Sequence, residues 1–314
     1  MLKQRVITAL ILLAILLPAL FYPTGIPFAV VVLVLMAAGA WEWGRLNGFG
    51  TAGAIGIGAI CTAMCLGAWA AGWLERPLSA LWIVAGAAWV LGGGALLRAG
   101  VAGWPRIAAP VRLVGGVLAL WLAWVAVVQA RMMGINFLLS VLVLVWVADV
   151  FAYFAGRTLG LKFTKSKLAP TISPGKSWEG VWGGMAGVVV LALVWVWADR
   201  HYAVAVPSFY SLLLARGAWF LLLAVVFMAA MSVVGDLVES LVKRSVGVKD
   251  SSGLLPGHGG VLDRVFAAGG FPDQAGLVLA QGFKCLLRLG HGHFVAGFFL
   301  VELERVSVVG AKTG

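Results

Sequence analysis

Charged side chains are scarce in this sequence, and their scarcity indicates the class of protein. Only 11% of its 314 residues are Asp, Glu, Lys or Arg, whereas a soluble domain carries roughly 25%. Cysteine is rarer still, with three residues in no spacing typical of a disulfide framework or a zinc site. By contrast, 62% of the residues are hydrophobic. This composition excludes an ordinary soluble domain and indicates an integral membrane protein.

Eight apolar runs are long enough to cross a bilayer as helices, by the criterion of about 20 residues. They lie at about 6–22, 27–44, 52–73, 79–97, 112–130, 136–155, 181–198 and 217–238. The first reaches helix length and no small-residue cleavage site follows it, so we interpret it as a retained span rather than a signal peptide. The predicted fold is an all-α polytopic membrane protein with about eight transmembrane helices. A disrupted ninth helix at the C-terminus is left open.

Lys and Arg are distributed unequally between the two sides of the predicted membrane. If the N-terminus is cytoplasmic, only four of the bases before position 265 fall on the other side, namely Arg76, Arg131, Arg200 and Arg216. All the other bases before position 265 fall on the cytoplasmic side, as the positive-inside rule requires. This distribution predicts a multi-pass protein of the cell inner membrane whose N-terminus and charged loops face the cytoplasm. The net charge of +11 does not indicate nucleic acid, because the bases lie in short loops that can meet anionic head groups.

Residues 236–264, the C-terminal charged segment, concentrate the charge that the rest of the chain lacks. Asp236, Glu239 and Lys243 are spaced by three and four, which places them on one face at the end of the eighth span. Asp263 follows a turn rich in Gly and Pro, and could share one or two divalent ions with Asp236 if the turn folds back. Carboxylates beside bases and glycines suit a metal ion that holds a polyphosphate. The alternative is a solvated loop between helices.

Residues 156–180, the upstream charged segment, form the second concentration of polar residues. Gly175-Lys176-Ser177 matches the end of a nucleotide-binding P-loop. A P-loop requires glycine five residues before Gly175, and this position is Pro170, so the P-loop is excluded. What remains is a loop rich in Ser and Lys, stiffened by proline, that can bind phosphate oxygens.

Both charged segments resemble known sequence motifs. Residues 240–264 closely resemble the signature of bacterial phosphatidate cytidylyltransferases. The residues that are similar to the upstream motif of that family are Lys167, Pro170, Ser173, Pro174, Lys176, Ser177, Glu179 and Gly180. The resemblance covers residues 1 to about 265 and is specific in the two charged segments. It implies one transmembrane catalytic domain, 1–264.

The resemblance implies transfer of a cytidylyl group from CTP to phosphatidate, giving CDP-diacylglycerol and pyrophosphate, with Mg²⁺ and a second cation as cofactors. It implies catalytic roles for Asp236, Asp263, Lys243 and Lys249, with the two aspartates as metal ligands. The substrate-binding residues that it implies are Lys165, Lys167, Ser173, Lys176, Ser177, Arg244, His258 and Arg264. For His258, the roles of a proton carrier, of a hydrogen-bond donor to phosphate and of a residue that shapes the loop are all open. The expected partners are CTP, phosphatidate and membrane lipids, without nucleic acid, and a homodimer is left open.

The sequence departs from the family pattern after Arg264. The signature continues with one residue and then a second Asp, but that position is Phe266, which cannot bind a metal ion. The atypical tail, 265–314, contains no clean span and is rich in Gly. Our hypothesis is a reading-frame shift at about codon 266, which the other frames of the same DNA would test.

Two alternatives to this enzyme stay open. Phe266 favours a catalytically impaired or lipid-binding relative of the family. Acids within or beside spans, namely Asp149, Asp236 and Glu239, could instead relay cations in an ion-coupled transporter. Clustering of these acids with Lys and Arg at one membrane face favours phosphate chemistry.

Overall fold

The computed structural model describes residues 2–248, 250–254 and 260–262. Nine α-helices and one β-hairpin lie in this part of the chain, with a 3₁₀ turn at Trp104–Arg106 before α5. The α-helices are α1 Leu2–Phe21, α2 Ile26–Leu46, α3 Thr51–Ala70, α4 Ser79–Ala99, α5 Ala109–Met133, α6 Ile135–Leu159, α7 Trp178–His201, α8 Phe209–Leu214 and α9 Ala218–Ser245. The strands are β1 Lys167–Ala169 and β2 Ser173–Ser177.

Seven helices in the described residues are long and apolar enough to cross a membrane, namely α2 to α7 and α9. Helix α1 contains a shorter apolar stretch, Leu10–Phe21. Helices predominate because lipid offers no hydrogen-bond partners, so a spanning segment must satisfy its backbone groups internally. The prediction of an all-α, multi-pass membrane protein is therefore confirmed. The C-terminal residues in which a disrupted ninth helix was left open, 265–314, lie outside the described residues.

Both charged segments contain regular structure. Helix α9 continues to Ser245, past the apolar run that ends at about 238, and the polar stripe of Asp236, Glu239 and Lys243 is helical, as its spacing predicts. Gly247, two residues after the end of α9, has a φ of +71°, which is readily adopted only by glycine and lets the chain turn away from the helix axis. The upstream charged segment is not an irregular loop, because β1 and β2 pair in antiparallel fashion within it.

Helices α6 and α7 lie unusually close together on either side of this hairpin. The face of α7 towards α6 carries four glycines: Gly180, Gly183, Gly184 and Gly187. A Cβ atom on Gly184 would lie 2.8 Å from the carbonyl oxygen of Ala148, and one on Gly187 would lie 2.4 Å from the Phe151 ring. Small residues permit such close approach of membrane helices. The hairpin of β1 and β2 therefore connects two closely packed helices, α6 and α7.

Helix α2 packs antiparallel to α3 and α5 in the centre of the described structure. The buried Trp124 donates from Nε1 to the carbonyl oxygen of Ala29 at 3.0 Å. Near the other end of α2, Trp43 lies over Gly116, where a Cβ atom would approach the indole ring to 2.0 Å. Trp43 also donates to the carbonyl oxygen of Leu113 at 3.2 Å. These contacts hold the end of α2 beside the start of α5.

The opposite end of the bundle is closed by buried polar contacts. Arg131 donates from Nε to the carbonyl oxygen of Leu20 at 2.9 Å and from Nη2 to that of Tyr22 at 2.6 Å, which satisfies the end of α1. Asp199 accepts hydrogen bonds from Asn136 Nδ2 at 2.9 Å and from the Ser208 backbone at 2.8 Å. These groups lie away from both charged segments, so we assign them a structural role.

Candidate active site

The polar stripe on α9 lies at the end of the helix and is largely buried. Asp236 is 2% exposed and Glu239 is 7% exposed. Glu239 Oε1 lies 2.6 Å from Nζ of Lys243, one turn further along the helix. A carboxylate in such surroundings is costly unless it is paired. Glu239 and Lys243, four residues apart, therefore lie on one face of the helix, as their spacing predicts, and form an ion pair there.

The hairpin brings the upstream charged segment to this stripe. Lys167 pairs with Ser177, and Ala169 pairs with Ser173. This register places β2 against α9, where Nζ of Lys176 forms an ion pair with Oδ2 of Asp236. The side chain of Lys176 is 23% exposed, whereas that of Asp236 is 3% exposed. The two charged segments thus meet at one site, although Lys176 and Asp236 are far apart in the sequence.

The residues after Lys176 fix the hairpin on α7. Ser177 is the N-cap of α7, and its Oγ accepts a hydrogen bond from the Gly180 backbone at 3.2 Å. Glu179 is buried, and its Oε1 accepts from the Thr164 backbone and from Thr164 Oγ1, both at 2.8 Å. A third bond comes from the Phe163 backbone at 3.2 Å. The hydroxyl of Ser177 therefore has a local structural role, whatever it does towards substrate.

The other predicted site residues fall into two groups. Those at the same end as the Lys176–Asp236 pair are Ser173, which is half-buried, and Lys165, Lys167 and Arg244, which are exposed. Those outside the described residues are Lys249, His258, Asp263, Arg264 and Phe266. Exposed bases around a buried carboxylate form a positive rim that attracts anions to the site.

One buried acid of this end was missed by the sequence prediction. Glu42 of α2 has no solvent exposure and accepts hydrogen bonds from the C-terminal charged segment. Oε1 accepts from Ser252 Oγ at 2.5 Å and from the Val261 backbone at 2.7 Å. Oε2 accepts from Ser251 Oγ at 3.0 Å and from the Leu262 backbone at 2.5 Å. The signal was present, because Glu42 lies within the predicted span 27–44 and a carboxylate there is usually functional.

One of the two predicted metal ligands, Asp236, lies among the described residues. Within residues 2–248, 250–254 and 260–262, no group of three or more His, Cys, Asp or Glu side chains is arranged to hold a metal ion. Asp236 is described, and its predicted co-ligand Asp263 is not. The carboxylate of Asp236 supplies the oxygen donors that Mg²⁺ prefers, and it already accommodates one positive charge beside it.

Two lysines and two acids thus lie at one end of the long helices, with exposed bases at the same end. A model of the cytidylyltransferase family matches residues 3–267, which include both charged segments and Glu42. The chain belongs to the cytidylyltransferase family.

Named relatives support this membership, two of them over most of their length. A phosphatidate cytidylyltransferase of Pseudomonas aeruginosa is 38% identical over 293 residues, which cover 90% of this chain and 99% of the relative. The enzyme of the same name from Haemophilus influenzae is 38% identical over 290 residues, covering 84% and 94% respectively. One from Staphylococcus epidermidis is 39% identical over 137 residues, covering 43% and 46%. This member of the cytidylyltransferase family thus aligns with two bacterial relatives nearly from end to end.

Proposed function

We propose that this chain transfers the cytidylyl group of CTP to phosphatidate, giving CDP-diacylglycerol and pyrophosphate. The observation that carries the proposal is the ion pair between Lys176 and Asp236. It joins the basic hairpin and the acidic helix stripe, the two segments that resemble the family motifs, at one end of the transmembrane helices. The names of the relatives support the choice of phosphatidate as acceptor. A lipid acceptor also accounts for a site at the membrane surface.

The reaction requires little covalent chemistry from the protein. A phosphate oxygen of phosphatidate attacks the α-phosphorus of CTP, the new P–O bond forms, and the bond to the β-phosphate oxygen breaks in line with it. The electron pair leaves with pyrophosphate. We assign Lys243, Arg244 and Lys249 to the triphosphate, because cations there stabilise charge that develops on the leaving group. Exposed hairpin lysines, Lys165 and Lys167, would bind phosphate oxygens at the entrance.

Asp236 and Asp263 are the residues that we propose to hold Mg²⁺. Their carboxylate oxygens are hard ligands of the kind that Mg²⁺ prefers, and Asp236 is buried at the site. Magnesium bound there would neutralise phosphate charge and orient the α-phosphate. A second cation beside it belongs to the same proposal. Lys176, which already pairs with Asp236, would hold that carboxylate in place and contribute positive charge towards the phosphates.

The orientation follows from the distribution of bases. We propose that the site faces the cytoplasm from the inner membrane, because CTP is a cytoplasmic substrate and the positive-inside rule favours that side. CTP, phosphatidate and membrane lipids are the proposed partners, and a homodimer remains a prediction. Of the three acids that suggested ion-coupled transport, Asp236 and Glu239 each pair with a lysine, which supports phosphate chemistry instead.

Transfer of label from cytidine-labelled CTP into the lipid phase tests the proposal. Membranes that contain the full chain are supplied with phosphatidate and Mg²⁺. Asp236→Asn should reduce transfer at least about 100-fold while membrane insertion is unchanged, because the amide is a poor Mg²⁺ ligand. Glu75→Gln, at an exposed acid in the α3–α4 connection, is the matched control. Activity of Asp236→Asn within about twofold of the parent would remove Asp236 from the metal site.

Phe266→Asp adds a second arm to the same experiment. Label transfer by the chain as written would show that a second Asp after Asp263 is dispensable. Transfer only by Phe266→Asp would identify the chain as an impaired relative. No transfer by either version would refute the proposed activity for this chain.

A further inference from the structure

Glu42 accepts four hydrogen bonds from a distant part of the chain. It lies one turn before the end of α2 at Leu46. Its four donors come from residues 209 to 220 positions later in the sequence. They are two serine hydroxyl groups and two backbone N–H groups. An acid of the second helix therefore holds the segment that follows the ninth.

The burial of Glu42 would be unfavourable without these bonds. Transfer of a carboxylate from water into a protein interior is unfavourable unless it is hydrogen-bonded or paired with a cation. Its two oxygens offer about four lone-pair sites, and all four donors point at them. Bonds to a charged acceptor are roughly twice as strong as those between neutral groups. Glu42 and its donors consequently stabilise each other only when the segment is docked on α2.

The segment is shaped to approach this carboxylate closely. A Cβ atom on Gly260 would lie 2.7 Å from both Glu42 oxygens and 2.1 Å from Ser251 Oγ. Only glycine fits there without displacement of the segment. The two following residues, Val261 and Leu262, are 4% and 3% exposed. Leu262 packs against Gly39, which lies one turn before Glu42 on α2. A Cβ atom on Gly39 would lie 3.4 Å from Cδ2 of Leu262.

We propose that Glu42 is a positioning residue, which fixes residues 251, 252, 261 and 262 on α2 and thereby sets their distance from Asp236 on α9. The inference rests on the proposed function, in which Asp263 and Asp236 share a metal ion. Leu262, which Glu42 holds through its backbone N–H group, directly precedes the proposed metal ligand Asp263 in the sequence. Glu42 is not a catalytic residue, because its oxygens are occupied and it has no exposure.

Glu42→Gln tests the role with little change in shape. The amide oxygen can still accept the two bonds of one carboxylate oxygen. The amide nitrogen, however, is a donor, and it faces one serine hydroxyl and one backbone N–H group, of Val261 or of Leu262. The serine hydroxyl can rotate to accept from it, whereas the backbone N–H group cannot. In hydrogen exchange on the purified full chain in nanodiscs, the amides of Val261 and Leu262 should exchange at least about tenfold faster. Peptides of α6 and α7 should be unchanged.

Function is measured on the same preparations. The kcat for label transfer should fall at least about tenfold with little change in KM for CTP, and the half-saturating Mg²⁺ concentration should rise. Mn²⁺ binding, followed by electron paramagnetic resonance, should weaken by at least about tenfold without any need for turnover. A role confined to stability would lower the active fraction but leave metal affinity unchanged. Glu75→Gln is the matched control.

Ser252→Ala provides a second variant should Glu42→Gln fail to fold. It removes one hydrogen bond from Oε1 and should give smaller changes in the same directions. Unchanged exchange in both variants would overturn the proposal, as would faster exchange with unchanged metal affinity and kcat. No Mn²⁺ binding by the parent would also overturn it. A parent that binds Mn²⁺ but transfers no label would refute the proposed activity instead, and the exchange and Mn²⁺ measurements would still decide the role of Glu42.

Discussion

The ion pair between Lys176 and Asp236 can be broken by Lys176→Met, which removes the charge and keeps most of the side-chain volume. Removal of one partner from a fully buried pair costs about 3–5 kcal/mol, because the other charge stays buried without its counter-ion. Asp236 is 3% exposed, but Lys176 retains 23% exposure, so solvent screens part of this loss. We therefore expect a decrease of about 2 kcal/mol in the free energy of unfolding.

A double-mutant cycle with Asp236→Asn measures the pair itself. Residues in direct ionic contact show coupling energies of about 0.5–3 kcal/mol, and the burial of Asp236 places our expectation in the upper half of that range. Denaturant unfolding of the purified chain in detergent provides the four free energies. Lys167→Met, an exposed lysine of the same hairpin, should change stability by less than about 0.5 kcal/mol.

The cycle also has a clear negative outcome. If Lys176→Met and Lys167→Met are equally mild, or if the coupling energy is near zero, the ion pair does not hold β2 on α9. The hairpin would then be positioned by Ser177 and Glu179 on α7 alone.

Two further predictions concern packing and substrate binding. Gly187→Ala should lower stability by about 1–3 kcal/mol in thermal denaturation, because its Cβ would lie 2.4 Å from the Phe151 ring. Gly92→Ala, in α4 with open space around it, should be neutral or stabilising, and equal effects of the two would contradict the close packing of α6 and α7. Lys249→Ala should mainly raise the apparent KM for CTP in steady-state label transfer, since one phosphate contact is lost. An unchanged KM would exclude Lys249 from the triphosphate site.

Local spacing made one half of the site predictable. Asp236, Glu239 and Lys243 share a helix face at separations of three and four, so their proximity follows from helix geometry alone. The apolar runs likewise predicted the long helices, since a span in lipid has to form its own backbone hydrogen bonds. The apolar run ends at about 238 although α9 continues to Ser245, because hydropathy detects where a span leaves the membrane and not where the helix stops.

The contacts between distant segments could not be predicted in the same way. The Lys176–Asp236 pair depends on the register of β1 and β2, and these strands are too short for their periodicity to be recognised. Glu42 was detectable as an acid within a span, but its partners were not, because two of its four donors are backbone groups. Every residue except proline has the same backbone N–H group, so the sequence does not indicate which acceptor that group binds.

The sequence separation of the contacts at this site bears on the order in which the protein matures. Helix α6, the hairpin and α7 are consecutive in the chain, so they can pack soon after synthesis. Glu42 can form its hydrogen bonds only after the residues 209 to 220 positions later have been synthesised. Closing so long a loop is slower than forming local contacts. The membrane bundle can therefore be inserted and largely packed while the site is still incomplete. Competence for the reaction is the last property that a nascent copy acquires.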